Sequence, residues 1–138
     1  MKHRNIHGDW EMFFSDRMLQ SELIGSFNKE GGQAWFKEMK ERVLTSPDRD
    51  ERPWATLINA RNWDMASSDS WDTNNELANW MPEHNCVLFA VVLSKKIQEF
   101  AVEKGMENQK IMKLFFDYDE AHQACLDALF EAQNQPNK

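Results

Sequence analysis

The 138-residue chain predicts one small α/β domain: a mixed, mostly parallel sheet with helices on both faces. Three observations carry this. Cys86–Leu93 (CVLFAVVL) is an uninterrupted apolar run, and a strand without polar alternation is one covered on both faces, as in a parallel sheet flanked by helices. Beyond the first helix, strand-like runs alternate with helical patterns, and strands separated by single helices join through right-handed crossovers. The opening offers two adjacent strand-like runs, which add an antiparallel edge. The predicted order is ββαβαβαβα within a single domain over residues 1–132, leaving 133–138 as a frayed tail.

The hairpin is read from IHGDWEMFF (6–14) and MLQSELIGSF (18–27), separated by the polar break Ser15-Asp16-Arg17. Gly25 inside the second run predicts a bulge or a close backbone approach. Asn28 is an N-cap for a helix reaching about Thr45, because Trp35, Phe36, Met39 and Val43 recur at helical spacing on one face. Pro47 stops that helix. A third strand spans Trp54 to Ala60. The second helix starts at Thr73 by its capping box with Glu76, or earlier at Ser67 or Ser68. Leu77, Trp80 and Met81 form its apolar edge, and Pro82 closes it.

Cys86–Leu93 is expected to be the central strand. Ser94 caps the next helix, with Ile97, Phe100 and Ala101 facing inward and Gly105 at its C-terminal end. Lys110–Phe116 is the last strand. Asp119 is expected to cap a final helix in which Ala121, Ala124, Cys125, Ala128, Leu129 and Ala132 repeat with helical period.

The composition suits a globular protein, with 41% hydrophobic and 28% charged residues and few Gly and Pro. A chain of this length buries roughly 70% of its unfolded surface and needs no disulfide or metal staple. A formal charge of −7 argues against nucleic acid, whose phosphates call for a basic stripe. It also argues against an anionic membrane surface. Cys86 and Cys125 lie in apolar sequence without CxxC spacing, which reads as buried free thiols in a reducing compartment. The N-terminus lacks the apolar core of a signal peptide, and no run reaches transmembrane length, so membrane insertion is not expected and a cytoplasmic location is.

The stretches Gly25-Ser-Phe-Asn28, Leu57-Ile-Asn-Ala-Arg-Asn-Trp63 and Phe116-Asp-Tyr-Asp-Glu-Ala121, with Cys125-Leu126, together with the order of elements, resemble the STAS domains of anti-sigma factor antagonists. The resemblance is closer to their SpoIIAA-like bacterial relatives. It implies a non-enzymatic regulatory module that docks a protein partner. In phosphoswitch members a serine starts the helix after the matching strand, within an Asp-Ser-(Ser or Ala)-Gly turn. Here Ala66-Ser67-Ser68-Asp69 keeps the serines but not the preceding Asp or the following Gly. Ser67 and Ser68 are therefore candidate phosphosites or plain helix caps, with capping the favoured role. The architecture is also similar to CRAL-TRIO lipid carriers, which implies an alternative role as carrier or sensor of an apolar small molecule.

Ligands of parallel sheets gather beyond the carboxyl ends of the strands, at helix N-termini. The candidate partner or ligand surface is accordingly Asn62, Trp63, Asp64, Asp69, Trp71 and Ser94, and a protein partner is expected to dock through the turn at 62–72 and the second helix, about 62–80. Asp64, Asp69, Asp72, Asp117 and Asp119 have no calcium-loop spacing, and His3, His7, His84 and His122 no metalloprotease spacing. No serine has an evident histidine base. No catalytic residue, metal ligand or cofactor is therefore assigned. Six Trp and nine Phe are many for this length. Trp35, Trp54 and Trp80 are read as core, Trp63 and Trp71 as core or contact surface, and Trp10, Phe13 and Phe14 lie on the edge hairpin. That hairpin carries little charge to discourage pairing, so a homodimer through it is a further expectation.

Overall fold

The computed structural model describes residues 8–45, 52–66, 71–105 and 111–134. The elements are β1 (Asp9–Ser15), β2 (Met18–Phe27), α1 (Lys29–Thr45), β3 (Trp54–Ala66), α2 (Trp71–Glu83), β4 (Cys86–Val92), α3 (Lys96–Gly105), β5 (Met112–Phe115) and α4 (Tyr118–Asn134). They follow the predicted order. The strands form one sheet in the spatial order β1-β2-β3-β4-β5. β1 pairs antiparallel with β2, and the remaining pairings are parallel.

The β1–β2 turn is a two-residue hairpin with left-handed φ at both Asp16 (52°) and Arg17 (65°), the geometry whose twist matches that of the strands it joins. Arg17 donates from its guanidinium to the carbonyl of Pro53, which ties the turn to the start of β3. Gly25 has φ +80° with open space where a Cβ would stand, and the β2–β3 register shifts on both sides of it. The bulge expected from sequence is therefore present.

The layers follow from chirality. β2, β3, β4 and β5 advance steadily in one direction, so three right-handed crossovers place α1, α2 and α3 on the same face. Only α4, which follows the edge strand β5, crosses to the other. The first core lies between sheet and α1–α2, with Leu19, Trp35, Met39, Ile58, Leu77, Met81 and Phe89 buried, and Val102 of α3 joins it. The second lies beneath α4, where Ala121, Cys125 and Leu129 meet Ala55, Leu57, Leu88, Ala90 and Val92.

Several boundaries differ from the sequence reading. The central strand is β3, not Cys86–Val92, which is interior but fourth in order. An apolar run reports cover on both faces, not position in the sheet. β3 continues six residues past Ala60, because β2 runs beside it as far as the Phe27–Ala66 pairing. Asn62, Trp63 and Asp64 are therefore strand rather than turn. α2 begins at Trp71, two residues before Thr73, and holds Pro82 in its last turn. Asn85 then reverses the chain with φ 73°.

Among the described side chains of α3 the buried ones are Gln98 and Val102, while Ile97 is 60% exposed; the side chains of Phe100 and Ala101, also expected to face inward, lie outside the described residues. The cap of α4 is Asp117, whose Oδ1 accepts from Glu120 N at 3.1 Å, two residues before the expected Asp119. β5 is four residues long, and α4 extends over Gln133 and Asn134, which the tail was expected to include. The cap at Asn28 is as read, with its Oδ1 accepting from Gly31 N at 2.8 Å. Pro47 lies outside the described residues.

Candidate functional site

The carboxyl rim of the parallel strands is where β3 outruns its neighbour. β3 pairs with β4 only as far as Asn59 and Val92, after which the chain leaves β4 for α3. The β3 carbonyls beyond that point would lack ladder partners, and buried carbonyls left unpaired are costly. Side chains replace the missing strand. Gln98, 1% exposed, donates from Nε2 to Ala60 O at 2.9 Å and to Trp63 O at 2.7 Å. The Ser94 hydroxyl donates to the intervening Arg61 O at 2.8 Å.

The same Gln98 also caps α3. Its Oε1 accepts from Ser94 N at 2.8 Å and Lys95 N at 3.0 Å. This is the backward reach of a capping box, in which the side chain of the third helical residue satisfies the cap's own N–H. Ser94, the residue expected to cap α3, instead spends its hydroxyl on β3.

The rim holds several of the residues expected there. Asn62, Asp64 and Ser94 are exposed, and Trp63 is half-buried with its ring against the core under the helix layer. Arg61 lies between them on β3, its Nε donating to Asn59 Oδ1 at 3.0 Å and its guanidinium 5.5 Å from the centre of the Tyr118 ring. Asp117 is bound into the α4 cap. Ser67, Ser68 and Asp69 lie outside the described residues, as do the side chains of Trp71 and Asp72. Among the described residues no three His, Cys, Asp or Glu side chains converge as metal ligands.

The strand order never reverses, so the sheet has no switch point between oppositely directed crossovers, where such sheets form their ligand crevice. The described cleft lies elsewhere. It is a half-open notch of about 120 Å³ between Glu11, Phe13, Gln20, Glu22, Asn59 and Tyr118. Tyr118 closes one side by donating its hydroxyl to Gln20 Oε1 at 2.9 Å.

The tryptophans largely serve the first core. Trp35 Nε1 donates to Ser21 Oγ and Trp10 Nε1 to Glu38 Oε1, both at 2.9 Å, and Trp54 Nε1 donates to His84 O. Trp54 and Phe36 each meet Trp80 edge-on, at 6.2 and 6.0 Å. The His84 ring stacks on Trp80 at 4.2 Å. Buried indoles need such partners for their N–H groups. Phe13, by contrast, is 51% exposed.

Both cysteines are free and buried. Burial pushes the Cys86 thiol up to about 12, against the opposing pull of the Thr56 side chain and of backbone hydrogen bonding at Leu88 and Thr56. Cys125 rises to about 12 as well, chiefly through burial and secondarily through nearby Cys86. Neither is a nucleophile at neutral pH.

A five-stranded sheet with three helices on one face, one on the other and an antiparallel first strand is a SpoIIAA-like fold. Two solved structures share it. A DUF3478-family protein with a SpoIIAA-like fold from Shewanella loihica PV-4 has a TM-score of 0.62 and 14% identity, over 91% of this chain and 98% of its own. An anti-sigma factor antagonist from Mycobacterium paratuberculosis has a TM-score of 0.65 and 14% identity, over 88% of this chain and 96% of its own. No family model and no curated protein matches the sequence. The resemblance to STAS and SpoIIAA-like domains read from the sequence is thus a likeness of fold.

Proposed function

We propose that the chain is a non-enzymatic regulatory module that docks a protein partner through the carboxyl rim, from Asn62–Asp64 across to Ser94 and the start of α2. The observation that carries this reading is the rim's construction. Exposed Asn62, Asp64 and Ser94 are held on a strand end and a helix start joined through buried Gln98, with exposed Ile97 alongside. A rigid backbone carrying exposed polar groups and one large apolar side chain suits protein contact. One structural neighbour is named an anti-sigma factor antagonist, a name that describes action on another protein.

The test is site-specific photo-crosslinking in the source cells, with the photoreactive residue replacing Asn62 or Ser94 and, as a control, Lys37 on α1. One discrete partner trapped at both rim positions and absent at Lys37 is expected, weakened by Ser68→Asp or Trp71→Ala. Identical products at all three positions would overturn the assignment. The alternative role as a carrier of an apolar small molecule draws no support from the notch beside Tyr118, whose volume of about 120 Å³ is below the roughly 300 Å³ of the smallest usual ligand sites. A lipid-sized adduct in native mass spectra of the purified chain would reinstate it.

A further inference from the structure

The face of the sheet that carries α4 is only partly covered. α4 packs on β3, β4 and β5, and its buried residues meet Ala55, Leu57, Leu88, Ala90 and Val92. On β1 and β2 the residues of that face are Asp9, Glu11, Phe13 and Ser15, paired with Ile24, Glu22, Gln20 and Met18, of which Met18 is buried in the core beneath α4. The residues alternating with them, such as Met12, Leu19 and Leu23, belong to the core beneath α1. Among the described residues nothing covers this flank beyond Met18, and Phe13 is 51% and Ile24 40% exposed on it.

Its charge is equally unusual. Glu11 and Glu22 are direct cross-strand partners, and like charges placed opposite each other destabilise a sheet. Among the described residues neither carboxylate has a hydrogen-bond or ion-pair partner. On the adjoining strand β3, Arg61 is engaged with Asn59 and Tyr118. Where a sequence breaks a local rule without visible compensation, function is the usual reason.

We propose that this flank seats a basic amphipathic helix of another protein, laid beside α4. Its width decides for a helix. Two strands about 4.8 Å apart leave a strip roughly 10 Å wide, the diameter of one helix. Apolar residues of the incoming helix cover Phe13 and Ile24. An Arg or Lys at its border enters the notch between Phe13 and Tyr118 and relieves the Glu11–Glu22 repulsion, by ion pairing and by lying over aromatic faces. A second copy of this chain fits poorly, because a two-fold contact sets the same acidic pair against itself. This flank is separate from the rim, so the proposal stands or falls without it.

The experiment uses the full chain and a synthetic 18-residue amphipathic helix with a Leu face bordered by Arg, followed by fluorescence anisotropy and by amide shifts of the labelled protein. The expected result is binding with shifts centred on Glu11, Phe13, Glu22 and Ile24. Glu11→Lys with Glu22→Lys should weaken it about tenfold or more. The control Glu41→Lys with Glu131→Lys, an equal change of charge away from the flank, should leave it unaltered. The flank variant exchanges one like-charge pair for another and should melt close to the parent, which separates lost binding from lost folding. Equal weakening by both double variants, shifts centred on Asn62–Asp64, no binding, or dimerisation abolished by the flank variant would each overturn the proposal.

Discussion

At the rim, the buried amide of Gln98 accepts from the backbone of Ser94 and Lys95 and donates to the carbonyls of Ala60 and Trp63. It does for β3 what a longer β4 would have done, and it fixes where α3 begins. Gln98→Leu keeps the volume and strands four backbone groups. Its expected cost is about 3 kcal/mol, read as a lower urea midpoint with unchanged slope. A loss under about 0.5 kcal/mol, the range of ordinary surface substitutions, would show that water replaces the amide. Gln98 was legible as a candidate only through its spacing from Lys95, since Gln at the third helical position signals a capping box. Neighbouring Ser94 offered the more conventional cap, and apolar Ile97 offered the more conventional inward side chain.

Among the elements, the hairpin, α1 and α4 match the sequence reading most closely, because each has a local pattern that determines its buried face. Trp35, Phe36, Met39 and Val43 are buried together, and Ala121, Cys125 and Leu129 likewise. The bulge at Gly25 follows the same logic. With φ +80° and free space where a methyl group would stand, Gly25→Ala is opposed by backbone strain alone. It should cost about 1–2 kcal/mol, and Gly25→Asn less, as measured by thermal unfolding. Equal stability of all three would mean that the strand relaxes out of the bulge. If it does, the β2–β3 register beyond Ile24 shifts with it, and the rim position of Trp63 moves.

For the molecule as a whole, the two layers meet through the sheet at Thr56. Its hydroxyl lies 3.5 Å from Cys86 Sγ, while its carbonyl accepts from Cys125 Sγ at 3.8 Å. Both thiols are held neutral well above their ordinary value of 9.0. A folded-state value raised above the unfolded one adds stability that is complete below the unfolded value and is lost as pH climbs toward the folded one. Stability should therefore fall between about pH 9 and about pH 12, by up to about 1.4 kcal/mol per pH unit for each thiol. Cys86→Ala with Cys125→Ala should be less stable at neutral pH but flatter over that interval. Denaturant titrations across the range read this directly, and parallel slopes for parent and variant would refute it.

The sequence alone determined which stretches are strands and helices, which face of α1 and α4 is buried, and that the sheet is mostly parallel with an antiparallel first strand. Those properties follow from side-chain period and turn chemistry, which act over a few residues. Tertiary structure decided that β3 rather than Cys86–Val92 is central and that β3 continues through Asn62–Ala66. It also turned Gln98 inward and, among the described residues, left Phe13 and Ile24 of β1 and β2 exposed beside α4. These depend on which strands pair and on how many helices remain to cover each face, a balance of burial summed over the whole chain that no local window contains.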